Sequence, residues 1–160
     1  MGRWAARLVI HRLPICPFAV LKVFSTRRII STSPKVKDMS FKEGQEFKVR
    51  VRPNDDCSGF ALNIGHDPEN IAMHFNPRFD ENVIVCNSRS GGDWGQEERD
   101  MNFPFVRGQE CKFYINFNME QFYIKLPDGS MMNFPNRLGD VKYKSFDVSG
   151  DARIVGVKIK

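Results

Sequence analysis

The sequence predicts an all-β fold, a sandwich or barrel, on three observations. Apolar and polar residues alternate with a period of two in one short run after another, as in strands whose successive side chains leave opposite faces. Turn-forming clusters separate these runs, and no stretch carries the periodicity of a long amphipathic helix. Fourteen of the 160 residues are Phe, which favours strands. With 41% hydrophobic and 27% charged residues, this length suits one globular domain with a real core.

Residues 1–38 stand apart from that pattern. They hold 8 Lys and Arg against a single acid, Asp38, whereas residues 39–160 hold 16 against 18. The overall charge of +5 therefore belongs to the front of the chain. A phosphate groove would need clustered Lys and Arg within the folded part, so nucleic acid is not an expected partner. The Arg- and Ser/Thr-rich leader has the composition of a mitochondrial presequence. Its apolar run, residues 13–24, is broken by Pro14, Pro17 and Lys22 and falls short of the roughly 20 residues a spanning helix needs, so no membrane insertion is expected. Arg27 and Arg28 follow that run and no small-x-small cleavage site does, which argues against a secretory signal. The preferred expectation is a disordered extension or an upstream translated stretch, with Met39 the working start.

From Met39 on, the elements follow in order. Phe47, Val49 and Val51 alternate with Lys48, Arg50 and Arg52, and further strands are expected over 60–64, 71–79, 83–88, 111–117, 121–126, 131–134 and 154–160. Pro127, Asp128 and Gly129 predict a hairpin turn, and Ser149, Gly150 and Asp151 open the last strand. In that strand Val155, Val157 and Ile159 are expected to face the core, with Ile154, Gly156 and Lys158 outside. Cys16, Cys57, Cys86 and Cys111 form no CxxC pair, so reduced thiols acting as small hydrophobes are expected. The chain has no Asn-x-Ser/Thr sequon to mark passage through the secretory pathway.

One run asks for a ligand. HFNPRF, residues 74–79, sets His74, Asn76 and Arg78 on one face of a strand and Phe75, Pro77 and Phe79 on the other. The apolar face suits a core, but an ordinary solvated strand has no need of the planar, donor-rich row opposite. In VIVCNS the same period puts Val83, Val85 and Asn87 on one face and Ile84, Cys86 and Ser88 on the other. In WGQEER, Glu97 and Arg99 share a face and Trp94 is one residue out of phase, which a bulge at Gly95 would correct. If these are neighbouring antiparallel strands, His74, Asn76, Arg78, Asn87, Trp94, Glu97 and Arg99 converge on one patch. Such a set suits a sugar, whose hydroxyls are paired donors and acceptors and whose C–H face can lie on an indole. Glu97 would also neutralise and orient Arg78 and Arg99.

These three runs, with FPF at 103–105, resemble the galectin signature. The similarity covers about residues 39–160, including FALNIG before the runs and KLPDG and FPNRL after them. The resemblance implies a jelly-roll-like sandwich of two antiparallel sheets that binds β-galactosides such as lactose and N-acetyllactosamine with neither metal nor cofactor. By motif position it implies that His74, Asn76 and Arg78 bond the galactose 4-hydroxyl and ring oxygen, that Asn87 and Glu97 bond the 6-hydroxyl, and that Trp94 stacks. Glu97 and Arg78 would reach the adjoining sugar, Arg99 would support them, and Val85 would line the floor. It further implies a homodimer joined through the terminal strands, and cytoplasmic synthesis with non-classical secretion to the extracellular space. A mitochondrial location would follow instead if residues 1–38 act as a presequence. The segment from Asp80 to Asn82 departs from the longer loop of many family members, which puts preference among extended glycans in question.

Two rival functions fit the residues less well. A glycoside hydrolase needs two carboxylates flanking one bond at about 5 to 10 Å, but adjacent Glu97 and Glu98 would face opposite sides of a strand. A structural protein that had lost sugar binding would have no reason to keep the seven-residue set. His11 and His66 have no ligand-spaced partners, and Gly91 and Gly92 read as a plain loop because no helix follows to cradle phosphate.

Overall fold

Alternation in sequence becomes two-sidedness in the computed structural model of the chain, which describes Val20–Leu21 and residues 35–160. His11, Cys16 and the remainder of the leader through residue 34 lie outside the described residues. The described residues contain strands and no helix. In chain order these are β1 (Val20–Leu21), β2 (Lys35–Val36), β3 (Phe41–Lys42), β4 (Phe47–Pro53), β5 (Phe60–Asp67), β6 (Asn70–Arg78), β7 (Val83–Ser90) and β8 (Asp93–Trp94). They continue with β9 (Glu98–Asp100), β10 (Cys111–Phe117), β11 (Gln121–Lys125), β12 (Met131–Pro135), β13 (Lys142–Tyr143), β14 (Ser145–Gly150) and β15 (Ala152–Ile159).

They build a six-stranded sheet in the order β1-β15-β4-β10-β11-β12 and a seven-stranded sheet in the order β2-β14-β5-β6-β7-β8, with β9 also on β7. A short β13-β3 pair completes the set. Every pairing is antiparallel. Phe47, Val49 and Val51 of β4 and Phe113, Ile115 and Phe117 of β10 point inward from one sheet; Leu62, Ile64, Phe75 and Phe146 meet them from the other. Phe75 stacks on Phe113 at 5.1 Å between ring centroids, and Phe47 meets Phe146 edge-on at 5.0 Å. Each aromatic pair adds about 0.5–1.5 kcal/mol beyond the area it buries. The fold is the all-β sandwich of two antiparallel sheets that the sequence implied.

The turns follow their chemistry. Gly129 takes φ +85° in the β11-β12 hairpin, where Asp128 accepts hydrogen bonds from the Ser130 amide and hydroxyl. Cys57 and Cys86 are buried free thiols and Cys111 is a partly buried one.

The structure corrects two expectations. β14, absent from the predicted strands, inserts between β2 and β5; its run SFDVSG is short and its outward residues are only partly exposed. In β15 the register shifts between Ile154 and Gly156, leaving Val155 as an extra residue. Val157 and Ile159 pack on the core as expected, but Ile154 joins them at 6% exposure, and Arg153, Gly156 and Lys158 form the outward row. A one-residue bulge inverts the phase of everything before it, and alternation alone cannot place it.

Candidate functional site

The outer face of the seven-stranded sheet carries a polar row that crosses four strands. Asp147 of β14 lies opposite Asn63 of β5, Asn63 opposite His74 of β6, and His74 opposite Asn87 of β7. Asn63 Nδ2 donates to Asp147 Oδ2 at 2.9 Å, and Asn63 Oδ1 stands 2.6 Å from His74 Nδ1. An amide oxygen can only accept, so Nδ1 carries the imidazole proton and Nε2 is left as a bare acceptor. Burial, then the nearby Arg78 guanidinium, push the His74 pKa below its ordinary value and keep the ring neutral. The sheet thus fixes both the charge and the tautomer of this side chain.

Arg78 is held as firmly. Its Nε donates to Asn76 Oδ1 at 2.9 Å, and Asn76 Nδ2 donates to the Phe60 carbonyl at 2.7 Å. Two carboxylates then link Arg78 to Arg99: Glu81 reaches Arg78 at 3.4 Å and Arg99 at 3.0 Å, and Glu97 reaches the same pair at 3.4 and 3.0 Å. The four side chains close a ring of alternating charge. Hydrogen bonding to Arg99 holds the Glu81 carboxyl below the usual carboxylate range. Such exposed pairs contribute little stability, but a closed ring aims two guanidinium planes. The short turn from β6 to β7 makes this possible: Asn82 takes φ +50°, Asp80 turns away to Arg107 at 2.9 Å, and Glu81 is left facing both arginines. Val85 lies beneath, 1% exposed, opposite Asn76 on one side and Arg99 on the other.

Trp94 closes the other end. Arg89 pairs with Trp94 and Cys86 with Glu98, a one-residue change of register that brings Trp94 into phase with Arg99, but Gly95 still donates to the Ser88 carbonyl at 2.8 Å, so the extra residue falls after Gly95 rather than at it. Trp94 is 50% exposed, with the Arg89 guanidinium 5.5 Å over its ring and the His74 ring edge-on at 5.0 Å. Asn87, only 6% exposed, donates to the Gly95 carbonyl at 2.9 Å. Its Oδ1 accepts from the Ser88 amide at 2.8 Å and from Arg137 Nη1 at 3.3 Å. A Cβ at Gly95 would meet Arg137 Nη1 at 2.9 Å and Asn87 Oδ1 at 3.3 Å, so glycine leaves room for that contact. His74, Arg78, Asn87, Trp94, Gly95 and Glu97 line an open cleft of about 380 Å³.

All eight residues singled out in the sequence therefore lie together, six facing each other across the face with Val85 beneath and Arg99 behind. Asn63, Asp147 and Arg137, which orient them, were not singled out. Asn63 and Arg137 sit inside FALNIG and FPNRL, but only the pairing of strands reveals what they touch. His66, set aside in the sequence, bonds Asp140 at 2.8 Å away from the cleft.

This geometry has known counterparts. The profile of the galactoside-binding lectins matches residues 33–159. The chain belongs to the galectin family. It is 45% identical over 126 residues to a β-galactoside-binding lectin of Electrophorus electricus, covering 76% of this chain and 93% of that one. Human galectin-2 is 40% identical over 126 residues, covering 79% and 96%. Among solved structures, chicken galectin-2 superposes with a TM-score of 0.76 at 36% identity, covering 79% of this chain and 97% of that one. Congerin II, solved with lactose and MES, gives 0.78 at 35%, covering 81% and 100%. Galectins are lectins and not enzymes.

Proposed function

We propose that this galectin binds β-galactosides, lactose and N-acetyllactosamine among them, on glycoproteins or glycolipids, and cross-links those glycoconjugates. The observation that carries this reading is His74 fixed as a neutral Nδ1–H imidazole beside Asn76 and Arg78, with Trp94 closing the same cleft. An axial 4-hydroxyl can donate to His74 Nε2 while accepting from Asn76 or Arg78, so one group meets both kinds of partner. Its axial position leaves the opposite C–H face flat against the exposed part of Trp94. An equatorial 4-hydroxyl would misplace these bonds and leave partly buried donors unpaired. Asn87 and Glu97 lie where they can take a 6-hydroxyl. Glu97 and Arg78 can reach the next sugar, with Arg99 and Glu81 holding them in place. No residue is asked to move a proton or bond covalently, so the chemistry is recognition alone, without metal or cofactor.

A disaccharide of about 23 heavy atoms at about 0.3 kcal/mol per atom gains at most about 7 kcal/mol, near 10 μM, and a cleft this open should bind more weakly. Cross-linking by so weak a site requires more than one copy, and a homodimer through the terminal strands would supply the second. The outer edge of β15 is paired with β1, so a second copy would displace β1 or dock on the β2 edge. Synthesis in the cytosol with non-classical export would bring the protein to extracellular glycans; a working presequence in residues 1–38 would send it to mitochondria instead.

The test is calorimetric titration of the full chain with lactose and with sucrose. Lactose binding in the micromolar to millimolar range without sucrose binding supports the reading. A folded protein that takes up neither lactose nor N-acetyllactosamine ends it.

A further inference from the structure

The sheet on the far side of the sandwich from the sugar cleft has an outer face of opposite character to the rest of the domain. Register places Lys158, Lys48, Tyr114 and Lys125 in one row across β15, β4, β10 and β11. The next row holds Arg50 opposite Lys112, and the third holds Arg52 opposite Arg153. These seven cations point away from the core, alternating with buried or partly buried neighbours. Side chains two residues apart on a strand stand about 6.8 Å apart and neighbouring strands about 4.8 Å, so six of the seven fall within a patch only three strands wide. Among the described residues, Arg50 with Glu110 is the one ion pair these cations make. Asp55 and Asp56 border the patch only at the end where Arg52 and Arg153 meet. The remainder of residues 39–160 carries 9 basic residues against 18 acidic ones, so near-neutrality conceals a strongly polarised domain.

Seven like charges on one face repel each other and cost stability, as do cations placed directly opposite across strands. A polyanion relieves that cost. We infer that the outer face of the six-stranded sheet is a second binding surface, separate from the sugar cleft, for a linear sulfated polysaccharide. The face is a grid of point charges, suited to a chain bearing sulfates at short intervals. It offers a single-stranded nucleic acid little to stack on, because Lys48 and Lys125 lie over the Tyr114 ring at 5.8 and 6.0 Å and Tyr123, the other outward aromatic ring, is only partly exposed. It also lacks the apolar surface a bilayer would bury, Met131 at the far edge being the exposed exception. In sequence, residues 1–34 hold six Lys and Arg and no acid, and Val20 and Leu21 pair with Lys158 and Val157 of this sheet.

The test uses the full chain and the variant Lys48→Gln/Arg52→Gln/Lys112→Gln, titrated with a size-defined heparin oligosaccharide, duplex DNA and phosphatidylserine vesicles. Heparin should bind the native chain, weaken at least about tenfold between roughly 50 and 200 mM salt, and lose at least about tenfold in the variant, as expected for release of several counterions. Lactose affinity should not change, and saturating lactose should leave heparin binding intact. The single variants Arg52→Gln and Lys112→Gln, each expected to lose about threefold, carry the same test if the triple variant does not fold. Equal heparin binding by native and variant chains, or displacement of heparin by lactose, would overturn the inference. So would DNA or vesicles binding as tightly as heparin through the same residues.

Discussion

Replacing Trp94 with alanine should weaken lactose binding by an amount the structure allows one to work out. An indole side chain offers up to about 250 Å² of surface. Half of Trp94 is exposed, and a pyranose laid on it would cover about half of that in turn. Counting the equal area hidden on the sugar, about 120 Å² leaves water, which at about 25 cal/mol per Å² is about 3 kcal/mol as a ceiling. Imperfect coverage brings the expectation to about 1.5–3 kcal/mol, or about 10- to 150-fold in Kd. Trp94→Phe, with a smaller ring, should recover part of the loss. The assay is calorimetric titration of native, Trp94→Ala and Trp94→Phe proteins, with thermal melts to verify that all three are folded. A Trp94→Ala protein whose lactose affinity stays within about threefold of native would refute the reasoning, because stacking would then contribute less than about 0.7 kcal/mol.

Three further outcomes are expected. Lactose affinity should be level from pH 8 down through 6.5 and fall only at more acid pH, because the depressed His74 pKa delays protonation of Nε2. Stability follows in the same direction: the unfolded chain takes up a proton near pH 6.5 that the native ring refuses, so stability declines as pH falls through that value; titration and melting across pH 8 to 4.5 read both. Gly95→Ala should press on Arg137 at the flexible end of its side chain, costing less than about 1 kcal/mol of stability while loosening Asn87 and weakening lactose several-fold. Burial raises the thiol pKa of Cys57 to about 11 and of Cys111 to about 12, and pushes Cys86 up as well. All three should therefore resist iodoacetamide at pH 7.5 in the native protein and react after denaturation, as peptide mass mapping would show.

What could be read in advance was whatever depends on the period of two. The faces of HFNPRF and VIVCNS, the change of phase between Trp94 and Glu97 and the inward Phe47, Val49 and Val51 are local properties of a strand, and the structure has them as the alternation does. What escaped depends on which strand lies beside which. Asn63 and Asp147 are 84 residues apart, and their hydrogen bond exists only because β14 pairs with β5. Arg137 reaches Asn87 from a separate turn, 50 residues away. The cations of β4 were visible as alternate residues, but their concentration needed Lys112, Arg153 and Lys158 to be brought alongside. Ile154 was misassigned because a bulge carries no fixed residue type.

The row from Asp147 through Asn63 and His74 to Asn87 means that pairing register and ligand recognition are a single specification. A sheet slipped by one residue at β5-β6 could keep much of its backbone hydrogen bonding, yet it would turn Asn63 away from the imidazole, and the same slip at β14-β5 would take Asp147 away from Asn63. Such a misaligned isomer would look like a β-protein to circular dichroism and be blind to galactose. The fraction of molecules that a lactose titration counts as active is therefore a proofreading assay for strand alignment, and lactose present during refolding should raise the yield of the one alignment able to hold it.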